Sequence, residues 1–319
     1  TDQGEKGKKP FWHKSDTGFY FGKFVNTKPD LNYDNPEVLE YMKNVMRFWL
    51  DIGVDGFRFD AVADIFEEEA KNFPVIKELR KVLEDDKYKD RDLFTIGESS
   101  SQPYLKYLGN GKDMFHAVFN FQTNRKFLDY VKYGTPYSSN DLFLIEADIV
   151  TRYVKDISKV EGAFYGTLLT NHDSFTAEDE KKLKRPFTLY DGDTEKTKLA
   201  GSIYLTMPGI PFVYYGEEYG MDTYTASKSD RWLRSCMQWD DSNNAGFTTK
   251  DKAWNLVNEN YKDYNVKRQD GDPNSILTHY RSLINIRKNN IALSLGSYQT
   301  INTQSKNKKT TAAFIRELG

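Results

Sequence analysis

GVDGFRFDAVAD, residues 53–64, decides how this chain is read. Gly53 closes a segment in which Val38, Met42, Val45, Met46 and Trp49 recur at helical spacing. Asn35-Pro36 opens that segment as N-cap and first helical position. Gly56-Phe57-Arg58-Phe59-Asp60 is then short, strand-like and closed by a carboxylate. Arg58 stands two residues before Asp60, so a strand directs both side chains to one face.

The same alternation repeats along the chain. A helical stretch around Phe73–Glu84 precedes a strand at Leu93–Gly97, and a helical or mixed stretch near Tyr104 precedes His116–Asn120. A long helical region around Asp141–Lys159 precedes Gly166–Asn171, and a helix near Lys196–Leu205 precedes Ile210–Tyr214. A helix at roughly Ser275–Lys288 closes the series. Strands alternating with helices predict parallel βαβ units and an α/β fold. About five strands are countable where a closed (β/α)8 TIM barrel has eight. After Gly296, SYQTIN and TAAFIRE alternate polar and apolar residues, as the opening of an antiparallel β-domain would. The expectation is therefore an interior piece of a longer protein: a barrel whose first three strands are absent from this chain, followed by the start of a C-terminal β-domain.

Two further strand-like runs end on acids: FTIGE (94–98) delivers Glu98, and LLTNHD (168–173) delivers His172 and Asp173. Bulk properties narrow the chemistry. The formal net charge of −2 leaves no basic field for nucleic acid. The short lysine clusters (Lys6, Lys8, Lys9; Lys181, Lys182, Lys184; Lys306, Lys308, Lys309) read as solvated loops. No apolar run is long enough to cross a bilayer. The single cysteine, Cys236, excludes an internal disulfide and reads as a small buried residue. His13, His116 and His279 are isolated and read as structural. An aromatic content of 15% suits either sugar-stacking platforms or a large aromatic core; Trp12, Tyr20, Phe119, Phe121 and Tyr215 are the candidate platforms, each more simply a core residue. Strand-end carboxylates without a Ser or Cys nucleophile point to acid–base glycoside chemistry at the C-terminal rim of a β/α barrel. Singly, each acid has a plainer reading. Arg58 with Asp60 makes a structural ion pair, Glu98 a surface or cap residue, and Asp173 an N-cap before SFTAED.

These motifs, in this order, closely resemble the α-amylase superfamily of retaining glycoside hydrolases. PDLNYDNPEV (29–38) resembles the approach to the fourth barrel strand, and PGIPFVYYGEEYGM (208–221) the eighth strand and its loop. RSCMQWDDSNNAGF (234–247) is similar to a stretch found in many bacterial maltooligosaccharide-acting members. The resemblance implies that residues 1–28 end an inserted B subdomain, that 29–290 carry barrel strands 4–8, and that 291–319 begin the C-terminal β-domain. It implies Asp60 as nucleophile, kept ionised by Arg58, and Glu98 as general acid/base with a pKa raised by burial and nearby carboxylates. Gly97 would leave room for close approach. Asp173 with His172 would stabilise an oxocarbenium-like transition state through the sugar hydroxyls.

The implied activity is cleavage of α-1,4-glucosidic bonds in starch or maltooligosaccharides. An α-glucosidase or glucosyltransferase of the same superfamily is the alternative, and a non-catalytic barrel subunit the remote one. Ala61 directly after the nucleophile resembles the α-1,4-acting group, where α-1,6-acting members often have Val. Several positions depart from the family pattern. Ala63 and Asp64 stand where many members have Lys-His, Ser99-Ser100 follow the general acid, and Phe175 stands near a frequent Arg position. The family's first motif, which supplies a substrate-binding His and a calcium-binding Asn, lies in the expected missing part, which the barrel would need for completion. Calcium is thus an expectation of the resemblance alone. The implied partners are an α-glucan or maltooligosaccharide, with neither nucleic acid nor membrane. The implied setting is secreted or cell-surface bacterial, with cytoplasmic as the alternative.

Overall fold

The computed structural model describes residues 11–99, 104–134, 149–173, 184–224, 230–301 and 313–318. Ser100, Phe175, Lys6, Lys8, Lys9, Lys181, Lys182, Lys306, Lys308, Lys309 and the start of the expected 141–159 helix lie outside the described residues. The chain divides into two compact units, one of Thr1–Phe119 with Val160–Ala163, the other of Asn120–Lys159 with Phe164–Gly319.

The first unit opens with a hairpin, β1 (Trp12–Ser15) and β2 (Gly18–Phe21), paired antiparallel. Helix α1 (Pro36–Ile52) begins and ends where the sequence predicts. The Asn35 side chain accepts the Glu37 N–H at 3.0 Å, and Gly53 takes the left-handed conformation with φ 112°. Its inward residues Met46 and Leu50 pack with Val75, Leu79, Val82, Leu83 and Tyr88, from helix α2 (Glu69–Arg80) and the turns after it. Strands β3 (Gly56–Phe59), β4 (Phe94–Gly97) and β5 (Ala117–Phe119) are parallel neighbours, with Gly56 opposite Phe94 and Ile96 opposite Ala117. Gly56 is obligatory, because a Cβ there would stand 1.8 Å from the Phe94 carbonyl oxygen. At Gly97 a Cβ would meet the Phe115 ring at 2.5 Å, so the close approach expected at this glycine is an aromatic ring packed across it.

The second unit begins with a helix the sequence reading passed over, α3 (Phe121–Tyr133). Its signals were present: the Asn120 side chain accepts the Gln122 N–H at 3.1 Å, and Gly134 closes it with φ 68°. Phe127, Leu128 and Val131 form its buried face. Helix α4 (Ile149–Ile157) follows, then β6 (Phe164–Thr167), short helix α5 (Pro186–Leu189), α6 (Thr194–Thr206) and β7 (Ile210–Pro211). β6 and β7 pair in parallel through Gly166–Ile210 and Thr167–Pro211. Both are shorter than expected. The Phe212 N–H still donates to Thr167 O at 2.7 Å just past β7, while Leu168 to Thr170 are buried but already off the strand. Short helix α7 (Val266–Gln269) leads to α8 (Ile276–Asn289), α9 (Ile291–Leu295) and the antiparallel pair β8 (Ser297–Ile301) and β9 (Ala313–Glu317).

Arginines, one buried and one half-buried, tie the second unit together by satisfying carbonyls at element ends. Arg287 on α8 donates to Leu205 O at 2.8 Å, Met207 O at 2.9 Å and Gly209 O at 2.5 Å, which are the carbonyls left free where α6 stops and the chain turns into β7. Arg316 on β9 does the same for Thr206, Leu293 and Gly296. Burial pushes the Arg287 guanidinium down to about 10, still charged at neutral pH. Arg287→Met fills much of the same volume but leaves three carbonyls unpaired. It is expected to lower the unfolding free energy by about 3 kcal/mol, measured as a reduced urea midpoint at unchanged slope; an unaltered midpoint would refute this role.

Candidate functional site

In the first unit, Asp60 directly follows β3 and Glu98 directly follows β4, so parallel pairing of the two strands brings their C-terminal ends side by side. Arg58 lies against both acids: its guanidinium is 2.7 Å from an Asp60 oxygen and 3.9 Å from Glu98 Oε2. The backbone locks them further. The Glu98 N–H donates to Phe59 O at 2.8 Å, the Val62 N–H to Glu98 O at 3.0 Å, and the Ala61 N–H to Glu98 Oε2 at 2.9 Å. Ala61 makes that last bond from a left-handed backbone with φ 45°, a conformation costly for a residue with a Cβ. The turn Asp60–Val62 therefore clasps both the main chain and the side chain of Glu98. The burial expected at Glu98 is partial, 21% of its side chain remaining exposed, while the Asp60 side chain is open at 72%.

In the second unit, Asp173 stands in a tight turn in which its N–H donates to Asn171 Oδ1 at 2.9 Å. His172 Nε2 is 2.8 Å from Asp173 Oδ2. Arg234 donates to Asp173 Oδ1 from one guanidinium nitrogen and to the His172 carbonyl, at 3.3 Å, from another. Sequence reading quoted Arg234 only as the first residue of a family-like stretch and gave it no role. The structure places it on the Asp173 carboxylate. Its signal was the basic head of RSCMQW, unreadable without knowing which acid it meets.

The other singled-out residues belong to the scaffold. His13 bonds Gly22 O at 2.9 Å, the Thr95 N–H donates to His116 Nδ1 at 3.0 Å, and His279 bonds Ser202 at 2.8 Å. Cys236 is buried. Phe119 is a core residue, Tyr215 packs beside Tyr219 and Met221, and Trp12 is exposed on the hairpin. For calcium, the described residues hold no group of three or more His, Cys, Asp or Glu side chains able to share one ion. Asp64 is committed to Lys23 at 2.7 Å. No helix among the described residues is long and apolar enough to cross a membrane.

Comparison with known proteins places these groupings in context. The alpha-amylase catalytic-domain family matches residues 4–296. The chain belongs to that family. Alpha-amylase 3 of Dictyoglomus thermophilum is 35% identical over 308 residues, covering 96% of this chain and 56% of that protein. A trehalose synthase/amylase of Mycolicibacterium smegmatis is 29% identical over 338 residues, covering 94% and 55%. Among solved structures, an alpha-amylase from H. orenii superposes with a TM-score of 0.78 at 30% identity, covering 97% of this chain and 58% of that one. The chain thus spans a little over half the length of these relatives. Its parallel strands fit part of a (β/α)8 barrel, followed by the antiparallel pair β8–β9.

The left-handed turn at Ala61 gives a direct test of the clasp. Ala61→Val puts a β-branched side chain at positive φ and is expected to cost about 1–2 kcal/mol of stability, whereas Ala61→Gly is expected to be neutral or mildly stabilising. Equal urea midpoints for the two variants would contradict the strained turn.

Proposed function

We propose that the complete protein is a retaining glycoside hydrolase that cleaves α-1,4-glucosidic bonds of starch or maltooligosaccharides. The observation that supports this most is the Arg58 guanidinium lying against both Asp60 and Glu98, at 2.7 and 3.9 Å, on adjacent parallel strand ends. Two carboxylates on adjacent strand ends, both beside one guanidinium, support the short nucleophile-to-acid separation on which retention depends.

In this reading the Asp60 carboxylate attacks the anomeric carbon as the glycosidic C–O bond breaks, and Glu98 gives its proton to the departing oxygen. Glu98 then takes a proton from water, whose oxygen attacks the same carbon and releases Asp60. Arg58, 2.7 Å from an Asp60 oxygen, orients that carboxylate. Asp173, flanked by His172 and Arg234, accepts hydrogen bonds from sugar hydroxyls that strengthen as the ring flattens. Residues 1–28 would end an inserted subdomain, 29–290 carry the catalytic barrel and 291–319 begin the C-terminal domain.

One observation favours a second reading. A relative carries the name trehalose synthase/amylase, so the glycosyl-enzyme could pass to a sugar hydroxyl instead of water. Maltoheptaose incubated with the complete natural protein separates the two by product length. Shorter α-anomeric sugars indicate hydrolysis; longer or rearranged ones indicate transfer. Asp60→Asn is expected to lower kcat at least about thousandfold with maltoheptaose binding by calorimetry preserved. Turnover unchanged in that variant would remove the mechanism.

A further inference from the structure

Glu217 is a buried acid that the mechanism above does not use. It begins a single helical turn, Glu217–Tyr219, directly after Gly216, whose left-handed backbone has φ 91°. Only 1% of the residue is exposed. Its Oε1 accepts the Thr170 N–H at 3.1 Å and also the Thr170 hydroxyl. Its Oε2 has no hydrogen-bond partner among the described residues. Thr170 is itself buried, lies just past β6 and begins the turn that ends at Asp173. Between the Glu217 contact and Asp173 stand only Asn171 and His172, and Asn171 Oδ1 already holds the Asp173 N–H. That short span has little slack.

The opposite wall is fixed by a buried cation. Arg185, fully buried, donates to Tyr215 O at 2.5 Å and Leu233 O at 2.9 Å. Tyr215 is two residues before Glu217, and Leu233 directly precedes Arg234. Arg185 also stacks on Tyr214 and Tyr215, with its guanidinium carbon 4.5 and 4.8 Å from the ring centres. The segment that holds Thr170 and the segment that brings Arg234 to Asp173 therefore share one anchor.

We propose that Glu217 is a positioning residue for Asp173: its buried carboxyl grips Thr170 and, through the Asn171–His172 turn, sets where the Asp173 carboxylate stands. This rests on the reading that Asp173 works on the sugar. The protonation state of Glu217 makes the proposal testable. Burial pushes its pKa up to about 8; Glu218 adds to the rise, while the Thr170 hydrogen bonds and the Arg185 charge oppose it. The other ionisable groups facing it are the Tyr190, Tyr204 and Tyr280 hydroxyls, all raised well above their ordinary value by burial and so neutral through the same range. Glu218, likewise raised by burial, has its carboxylate tied to the Gly216 N–H.

The sign follows from linkage. Between the ordinary carboxylate value of 4.5 and about 8, the folded state holds a proton that the unfolded state has lost. Stability from this group is therefore complete below that window, declines as pH rises through it, and is flat above it. Above about pH 8 the grip on Thr170 is that of a buried, ionised carboxylate with one oxygen unpartnered.

The test compares Glu217→Gln, Glu217→Ala and Asp173→Asn with the wild type, each as the complete natural chain hydrolysing maltoheptaose. Glutamine keeps the acceptor oxygen and cannot ionise. Glu217→Ala is expected to lower kcat about tenfold or more with KM changed by no more than about twofold, and Glu217→Gln to restore it. Above pH 8 the wild type is expected to lose up to about tenfold more kcat than Glu217→Gln, with the steeper alkaline fall, because glutamine cannot ionise. Should Glu217→Ala fail to fold, the pH profile of Glu217→Gln decides alone. Unchanged kcat in Glu217→Ala, or equal alkaline slopes in wild type and Glu217→Gln, overturns the proposal. Full activity in Asp173→Asn overturns the reading beneath it; loss in Asp173→Asn beside an unaffected Glu217→Ala overturns the positioning role alone.

Discussion

The arrangement of Asp60 and Glu98 depends on the hold that the Asp60–Val62 turn has on Glu98. Parallel pairing of β3 and β4 brings their ends together, but pairing alone fixes only backbone register. The Ala61 N–H, aimed by a left-handed backbone, reaches the Glu98 carboxylate, and the Val62 N–H takes the Glu98 carbonyl. Strain at one residue is thus exchanged for a fixed relation between two acids. Arg58 completes it by lying against both side chains. Gly97 belongs to the same device, since the Phe115 ring packed across it leaves the strand no freedom just before Glu98.

The second unit solves a similar problem with buried polar groups in place of backbone strain. Where its strands are short, element ends leave carbonyls without ladder partners, and Arg185, Arg287 and Arg316 satisfy them. A guanidinium suits this work because its several donors lie in a fixed plane and it stays charged when buried. Glu217 does the converse for donors, receiving the Thr170 N–H and hydroxyl. The turn bearing His172 and Asp173 therefore sits on a polar framework largely closed to solvent, while the acid itself remains half exposed and open to a ligand.

Much of this was legible in the sequence, and the limits are physical. Helix α1 was readable from Asn35-Pro36 to Gly53 because caps and periodicity agreed. The ends of β3 and β4 were readable because apolar runs broke at acids. Helix α3 was missed although Asn120 and Gly134 punctuate it, since polar residues interrupt its apolar stripe. β6 and β7 are shorter than their apolar runs suggest: Leu168, Leu169, Phe212 and Val213 look strand-like, yet the paired residues end at Thr167 and Pro211. Arg58, Asp60, Glu98, His172 and Asp173 announced themselves locally. Arg234 and Glu217 did not, because what they do depends on contacts made 61 and 47 residues away.

The claim at the centre of this account is that Asp60 forms the covalent bond to the sugar. A fluorinated α-glucosyl fluoride, which loads a retaining enzyme quickly and leaves it slowly, tests that claim directly in the complete natural protein. Peptide mapping by mass spectrometry is expected to find one glucosyl unit, carried by the peptide containing Asp60, with Asp60→Asn unlabelled. A label on any other residue, or steady turnover of maltoheptaose with inversion at the anomeric carbon, would contradict it.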